Sequence, residues 1–216
     1  FLQSQFGDLM VDVHSDEAGK YIAKLGIQGA GNDVLINGDY EAESGAIQAK
    51  AAIRSFNIDP LSPFVKSFVD SLKGTLSGDV EVKGTTDQPE INGILTVDSL
   101  NMILVTTGTP IRVPKADLLL EGRQMRIRDL TILDSAGRPA VVKGEVRFNQ
   151  FDSLQYDLRL DTRRFLVAGH KRYPDQIIYG PLSVSSLLTL KGDMRGAKVN
   201  GNVDVLDSSS VTYVYR

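Results

Sequence analysis

Two histidines, 27 carboxylates and no cysteine are the side chains with which this chain could do acid–base or metal chemistry. The missing thiol excludes a disulfide framework, Cys-ligated zinc and a thiol nucleophile. His14 and His170 lie far apart, and neither has a carboxylate cluster at ligand spacing. His14 takes the outward parity of a strand, and His170 falls in the loop "AGHKRYPD". "GIQGAG" (Gly26 to Gly31) has the wrong order for a dinucleotide fingerprint and runs into a strand, where that fingerprint needs a helix N-terminus. There is no Gly-x-Ser-x-Gly elbow and no phosphate loop. The carboxylates occupy outward parities, as a solvated face requires. Arg163, Arg164, His170, Lys171 and Arg172 crowd one short region. Arginine forks suit phosphate, but a charged, soluble loop is the preferred account of the cluster. The expectation is a protein without catalytic residues, metal or cofactor.

At 216 residues, 42% hydrophobic and 24% charged, the chain can bury a sizeable core. A net charge of −3 lacks the basic footprint of a nucleic-acid binder. No apolar run approaches the roughly 18 residues of a membrane span. The chain opens on Phe1 and closes on the strand-like "VTYVYR", so it reads as a segment of a longer protein.

The elements that must position these side chains announce themselves by repetition. "QGAGNDVLING" (Gln28 to Gly38), "KGTTDQPEING" (Lys83 to Gly93) and "KGDMRGAKVNG" (Lys191 to Gly201) each hold a glycine and, nine positions on, the glycine of an Asn-Gly. Asn-Gly between apolar residues is ordinarily a hairpin-turn signal. Here the alternation runs straight through it. Ile91, Gly93, Leu95 and Val97 share one parity against Glu90, Asn92, Thr96 and Asp98, and Val199, Gly201, Val203 and Val205 share one against Lys198, Asn200, Asn202 and Asp204. Strand side chains alternate faces, so these glycines belong mid-strand on the apolar face. Leu76, Gly78, Val80, Val82 and Gly84 form the preceding strand of one unit, and Val184, Ser186, Leu188, Leu190 and Gly192 that of another. Each unit is therefore a hairpin, with loops "AGNDVL", "TTDQPE" and "DMRGAK" between its two glycines. Gly29, Gly38, Gly84, Gly93, Gly192 and Gly201 are expected to let the sheet bend sharply.

Most of the remaining chain alternates in the same way, with turn residues every 8–12 positions or so, which indicates an all-β antiparallel meander. One segment has helical period: Leu61, Phe64, Val65, Phe68 and Leu72 fall on one face. A short amphipathic helix is expected near 60–73, with Asp59 as N-cap, Pro60 in its first turn and Gly74 at its end. One such helix cannot cover the apolar faces of a dozen strands. Either two faces close into a dry sandwich or barrel, which periodicity alone favours, or they stay apart and form a groove that must hold apolar ligand.

The pattern "LSGDVEVKGTTDQPEINGILTVDSL", echoed in "SLLTLKGDMRGAKVNGNVDV", resembles the TamB-type members of the AsmA-like superfamily of envelope proteins. "DTRRFLVAGHKRYPDQIIYGPLSVSSLLTLKG" is similar to the corresponding part of such proteins, and the resemblance is clearest from Leu72 to Val205. It implies a long curled antiparallel sheet, a β-taco with an open groove, running through 1–216 as one continuous segment. It implies a periplasmic location, a parent held in the inner membrane by a segment not present here, and an outer-membrane barrel partner. The groove would conduct phospholipid between the membranes without catalysis and support outer-membrane biogenesis. On this reading the acyl chains meet Leu76, Val80, Val82, Ile91, Leu95 and Val97 in one hairpin, and Leu188, Leu190, Val199, Val203 and Val205 in another. An assembly module acting through exposed strand edges, and a dry-core structural domain of a surface protein, are the alternatives.

Overall fold

The computed structural model describes residues 6–16, 19–66, 69–105, 107–150, 153–168, 178–193 and 195–213. Alternation predicts strands, and strands form: β1 (Asp8–Ser15), β2 (Lys20–Gly29), β3 (Asn32–Glu41), β4 (Ala46–Asn57), β5 (Val69–Thr85) and β6 (Pro89–Leu104). They continue as β7 (Pro110–Glu121), β8 (Gln124–Leu133), β9 (Pro139–Gln150), β10 (Ser153–Ala168), β11 (Ile178–Tyr179), β12 (Leu182–Asp193), β13 (Gly196–Val205) and β14 (Thr212–Tyr213). Twelve of them make one sheet in chain order, β1 to β10 and then β12 and β13, while β11 and β14 pair separately. Every neighbouring pair is antiparallel, and β1 and β13 each keep one free edge. The sheet is all-β and not closed into a barrel, consistent with a curled, taco-like shell.

The three Asn-Gly glycines sit inside strands. Gly93 pairs with Val80, Gly201 with Leu188, and Gly38 with both Ala23 and Ala49. The loops are shorter than the alternation suggests. Between Gly29 and Asn32 only Ala30 and Gly31 intervene, and between Thr85 and Pro89 only Thr86, Asp87 and Gln88. Residues read as loop, such as Asn32 and Val34, are instead strand residues and buried. Ladder pairing reaches further toward the turn than polar composition reveals.

The helix expected near 60–73 is corrected. A 3-10 turn at Asp59–Leu61 and one helical turn, α1 (Ser62–Val65), are all the helix described there, and β5 starts at Val69. Phe68 lies outside the described residues. Leu72 carries two periods at once, and the strand period wins because Leu72 and Ser71 pair with Met102 and Ile103 of β6. Asp59 is no N-cap, for its carboxylate accepts from the Gly74 amide at 3.3 Å. Gly74 ends no helix and lies inside β5 at φ +150°. Ser62 Oγ donates to the Asp59 carbonyl at 2.7 Å, tightening the turn.

Register shifts cluster toward the end of the sheet away from the β5–β6 hairpin. They fall between Ile53 and Phe56 in β4, Lys73 and Thr75 in β5, Ile127 and Leu130 in β8, and Thr162 and Phe165 in β10. An extra residue in one strand raises local twist and re-aims the side chains beyond it. On β7 the buried parity accordingly jumps from Ile111 and Val113 to Ala116 and Leu120. At this end the sheet curls onto itself. Thr109, just before β7, donates from Oγ1 to the Val167 carbonyl of β10 at 2.6 Å, although β8 and β9 lie between those strands.

A buried carboxylate fastens the same corner. Asp134, with no exposed side-chain surface, follows β8 and accepts the Leu166 amide of β10 at 2.8 Å. It also accepts the Ala136 and Arg138 amides at 2.8 and 2.9 Å and Arg138 Nε at 2.8 Å. Around it lie Ile111, Val113, Ala140, Ala168 and Val184 as the most buried apolar residues of this end. The expectation that carboxylates keep to outward parities fails here, because a loop aspartate obeys no strand parity.

Burial pushes the Asp134 carboxyl up, but the amides of Arg138, Leu166 and Ala136 and the Arg138 guanidinium outweigh it and hold it below its ordinary value. A depressed carboxylate adds stability that is complete above its unfolded value and lost as pH falls through the folded one. Asp134→Asn is therefore expected to cost about 3 kcal/mol at neutral pH. The gap between variant and unaltered chain should narrow below about pH 4. Urea unfolding at pH 7 and pH 3 measures both.

Candidate functional site

Strand register carries one apolar parity across the whole sheet. A single path of Cα partners runs Val11, Leu25, Ile36, Ala51, Val80, Gly93, Leu120, Met125, Val146, Tyr156, Gly192 and Ala197, from β1 to β13. Directly opposed partners share a face. Leu76 faces Val97, Val82 faces Ile91, and Leu95 faces Gly78 and Leu118, so the first hairpin's expected lining residues lie on this face together. Leu188 and Leu190 pair with Leu160 and Leu158 on one side, and Leu190 with Val199 on the other. Val203 and Val205 oppose Ser186 and Val184.

This face lacks a cover at both margins. Leu9 and Val11 on β1 are 64% and 58% exposed, and Val199, Val203 and Val205 on β13 are 53%, 52% and 61% exposed. The expected lining residues of β5, β6 and β12 are half-buried, shielded by neighbours in the sheet. The corner between β7 and β10 is dry. A polar pair also interrupts the face there, where Thr162 and Ser186 hydroxyls meet at 2.9 Å in a buried setting.

The opposite face is a lattice of charge pairs. Lys20 reaches Asp39 at 3.2 Å, and Lys50 and Lys83 approach Glu81 at 3.6 and 3.0 Å. The hydrogen bond from Lys83, with the nearby Lys50 charge, holds the Glu81 carboxyl below its ordinary value. Thr96 donates to Asp117 at 2.7 Å on this side. His14 is exposed beside Asp12, 4.0 Å from its carboxylate, while His170, Lys171 and Arg172 lie outside the described residues. Among the described residues no three metal-ligating side chains group together. Among the described residues no helix is long and apolar enough to cross a membrane.

Of the six glycines expected to bend the sheet, Gly93 and Gly201 show why no other residue fits. Gly93 has φ +146°, and an added Cβ would strike the Asp79 carbonyl oxygen and lie 3.0 Å from Val80 Cα. Gly201 has φ +141°, and its Cβ would strike the Leu187 carbonyl and lie 3.0 Å from Leu188 Cα. Gly29 ends β2 and Gly84 is the penultimate residue of β5, each at a hairpin end. Gly38 lies mid-strand without positive φ, facing the Ala49 methyl, and Gly192 is the penultimate residue of β12. Gly144 and Gly78, the latter placed by alternation on the apolar parity but not among the bending glycines, share the Gly93 arrangement. Their signal was present, a glycine on the apolar parity of "LSGDV" and "VKGEV".

Gly93→Ala combines a left-handed backbone with a carbonyl clash and is expected to cost about 3 kcal/mol. Gly196→Ala, whose Cβ meets nothing, should be close to neutral. Denaturant unfolding of the two variants separates a conformational demand from a general loss of glycine.

Residues 124–215, from β8 to just past β14, match the family model described as TamB C-terminal domain. No curated protein and no solved structure gave a match. A TamB-family domain supports a role in envelope and outer-membrane assembly alongside an outer-membrane partner. The matched stretch covers less than half of the chain, so it is the C-terminal part, from β8 onward, that is similar to a TamB C-terminal domain.

Proposed function

We propose that the apolar face is a groove for phospholipid acyl chains, through which a periplasmic, inner-membrane-anchored parent conducts lipid toward the outer membrane without catalysis. The observation that carries this reading is the single apolar face across twelve strands with uncovered margins. Apolar surface of that extent in water is a liability unless something occupies it. An acyl chain entering gains about 0.8 kcal/mol per buried CH₂. Because the stripe repeats from strand to strand, successive positions offer similar gains, which favours sliding over capture at one tight site. The sheet's polar face keeps its charges in solvent, several of them in ion pairs.

The two free edges favour a second reading, in which β1 or β13 pairs with a client strand during outer-membrane protein assembly. Prolines on those edges would then harm function more than charge on the apolar face, and client crosslinks would map to the edges.

A photoreactive aromatic at Leu95, on the apolar face, should crosslink lipid in living cells, whereas one at Thr96 should not. Equal yields, or none at either position, would contradict the groove. Leu95→Asp or Leu190→Asp in a chain that still folds should abolish lipid transport, and normal transport in such a variant would sink the proposal.

A further inference from the structure

On one rung of the polar face cations from three adjoining strands stand together. Lys143 of β9 stands directly opposite Arg159 of β10. The register shift between Ile127 and Leu130 places Arg128 and Asp129 of β8 beside Lys143. Like charges directly opposed destabilise a ladder, so three cations on adjoining strands are an arrangement that folding alone disfavours.

The local carboxylates leave part of that charge unanswered. Asp129 meets Lys143 at 2.7 Å. On the adjoining rung, Glu121 engages Arg126 at 2.8 Å, Arg147 engages Glu145, and Lys191 engages Asp157 at 2.6 Å. Among the described residues, Arg128 and Arg159 have no carboxylate within ion-pair distance. Arg126, Arg128, Lys143 and Arg159 line one shallow cleft of about 510 Å³, together with Glu145 and Asp157.

We propose that this cleft is an oxyanion site that takes a phosphate group, with Arg128 and Arg159 as its principal ligands and Lys143 beside them. Neighbouring strands stand about 4.8 Å apart, a spacing at which guanidinium groups from β8 and β10 can converge over β9. Planar guanidinium forks match phosphate oxygens in pairs. A phosphate with close to two negative charges answers three cations better than a single carboxylate does. The site lies on the face opposite the apolar one and stands whether or not that face carries lipid. Free phosphate and a phospholipid headgroup both offer it anionic phosphate oxygens, the headgroup diester with one negative charge and free phosphate with close to two.

Two arms test the site. In the first, the 216-residue chain is melted with increasing inorganic phosphate at constant ionic strength, beside Arg128→Gln, Arg159→Gln and the distant Lys24→Gln. Phosphate should raise the melting temperature of the unaltered chain and of Lys24→Gln, and either arginine variant should bind phosphate at least tenfold more weakly. Without phosphate, Arg159→Gln should melt no lower than the unaltered chain, since it relieves the opposed charges. In the second, the same proteins are floated with vesicles of phosphatidylcholine, with and without phosphatidylglycerol. Flotation that needs both the anionic lipid and the two arginines assigns the site to a headgroup, and a phosphate response without it assigns free phosphate. The proposal fails if neither phosphate nor vesicles respond to the arginines, or if Lys24→Gln loses as much as they do.

Discussion

Every strand of this sheet lies beside its neighbour in the chain, and that constraint governs the rest of the molecule. In a pure meander with intact register, all side chains of one parity reach the same face. Among the described residues no strand of this sheet crosses back over that face. The small core follows from this. Residues such as Val80 and Leu95 are shielded by lateral neighbours, while Val11 and Val205 at the margins face solvent. The polar face meets the opposite demand with charged side chains in solvent, some paired across strands, as Lys50 with Glu81 and Lys191 with Asp157.

Where the sheet does seal, it uses bulges and a loop carboxylate. The shifts in β8 and β10 raise the local twist until the start of β7 and the end of β10 meet over the β8–β9 connection. Once those backbones converge, amides that no ladder can satisfy are left over, and Asp134 takes them. The corner is therefore held by directional bonds as much as by Val113 and Ala168. The margins at β1–β2 and β12–β13 pair without such a shift and stay exposed.

Strands and faces were legible in the sequence because period two needs only neighbouring residues. The reading of Asn92-Gly93 as mid-strand came from that alternation, and the pairing with Val80 bears it out. What escaped depends on partners distant in the chain. Leu72 fits a helix as well as a strand until Met102 is known to lie opposite it. The Thr109–Val167 bond spans 58 residues and leaves no local trace. The opposed cations of β9 and β10 are invisible until register pairs Lys143 with Arg159. Gly78 and Gly144 were legible, yet they fell outside the glycine-to-glycine unit on which the reading concentrated.

The account turns on whether the apolar face is open to entering molecules, and the cysteine-free chain allows a direct measurement. Single cysteines at Val80, Leu95 and Leu190, with Val113 as the buried reference, are reacted with a small maleimide in the native state. An open face predicts that the first three react much faster than Val113→Cys, and that added phospholipid slows them selectively. Reaction as slow as at Val113 at all three positions would show a sealed interior and contradict the account.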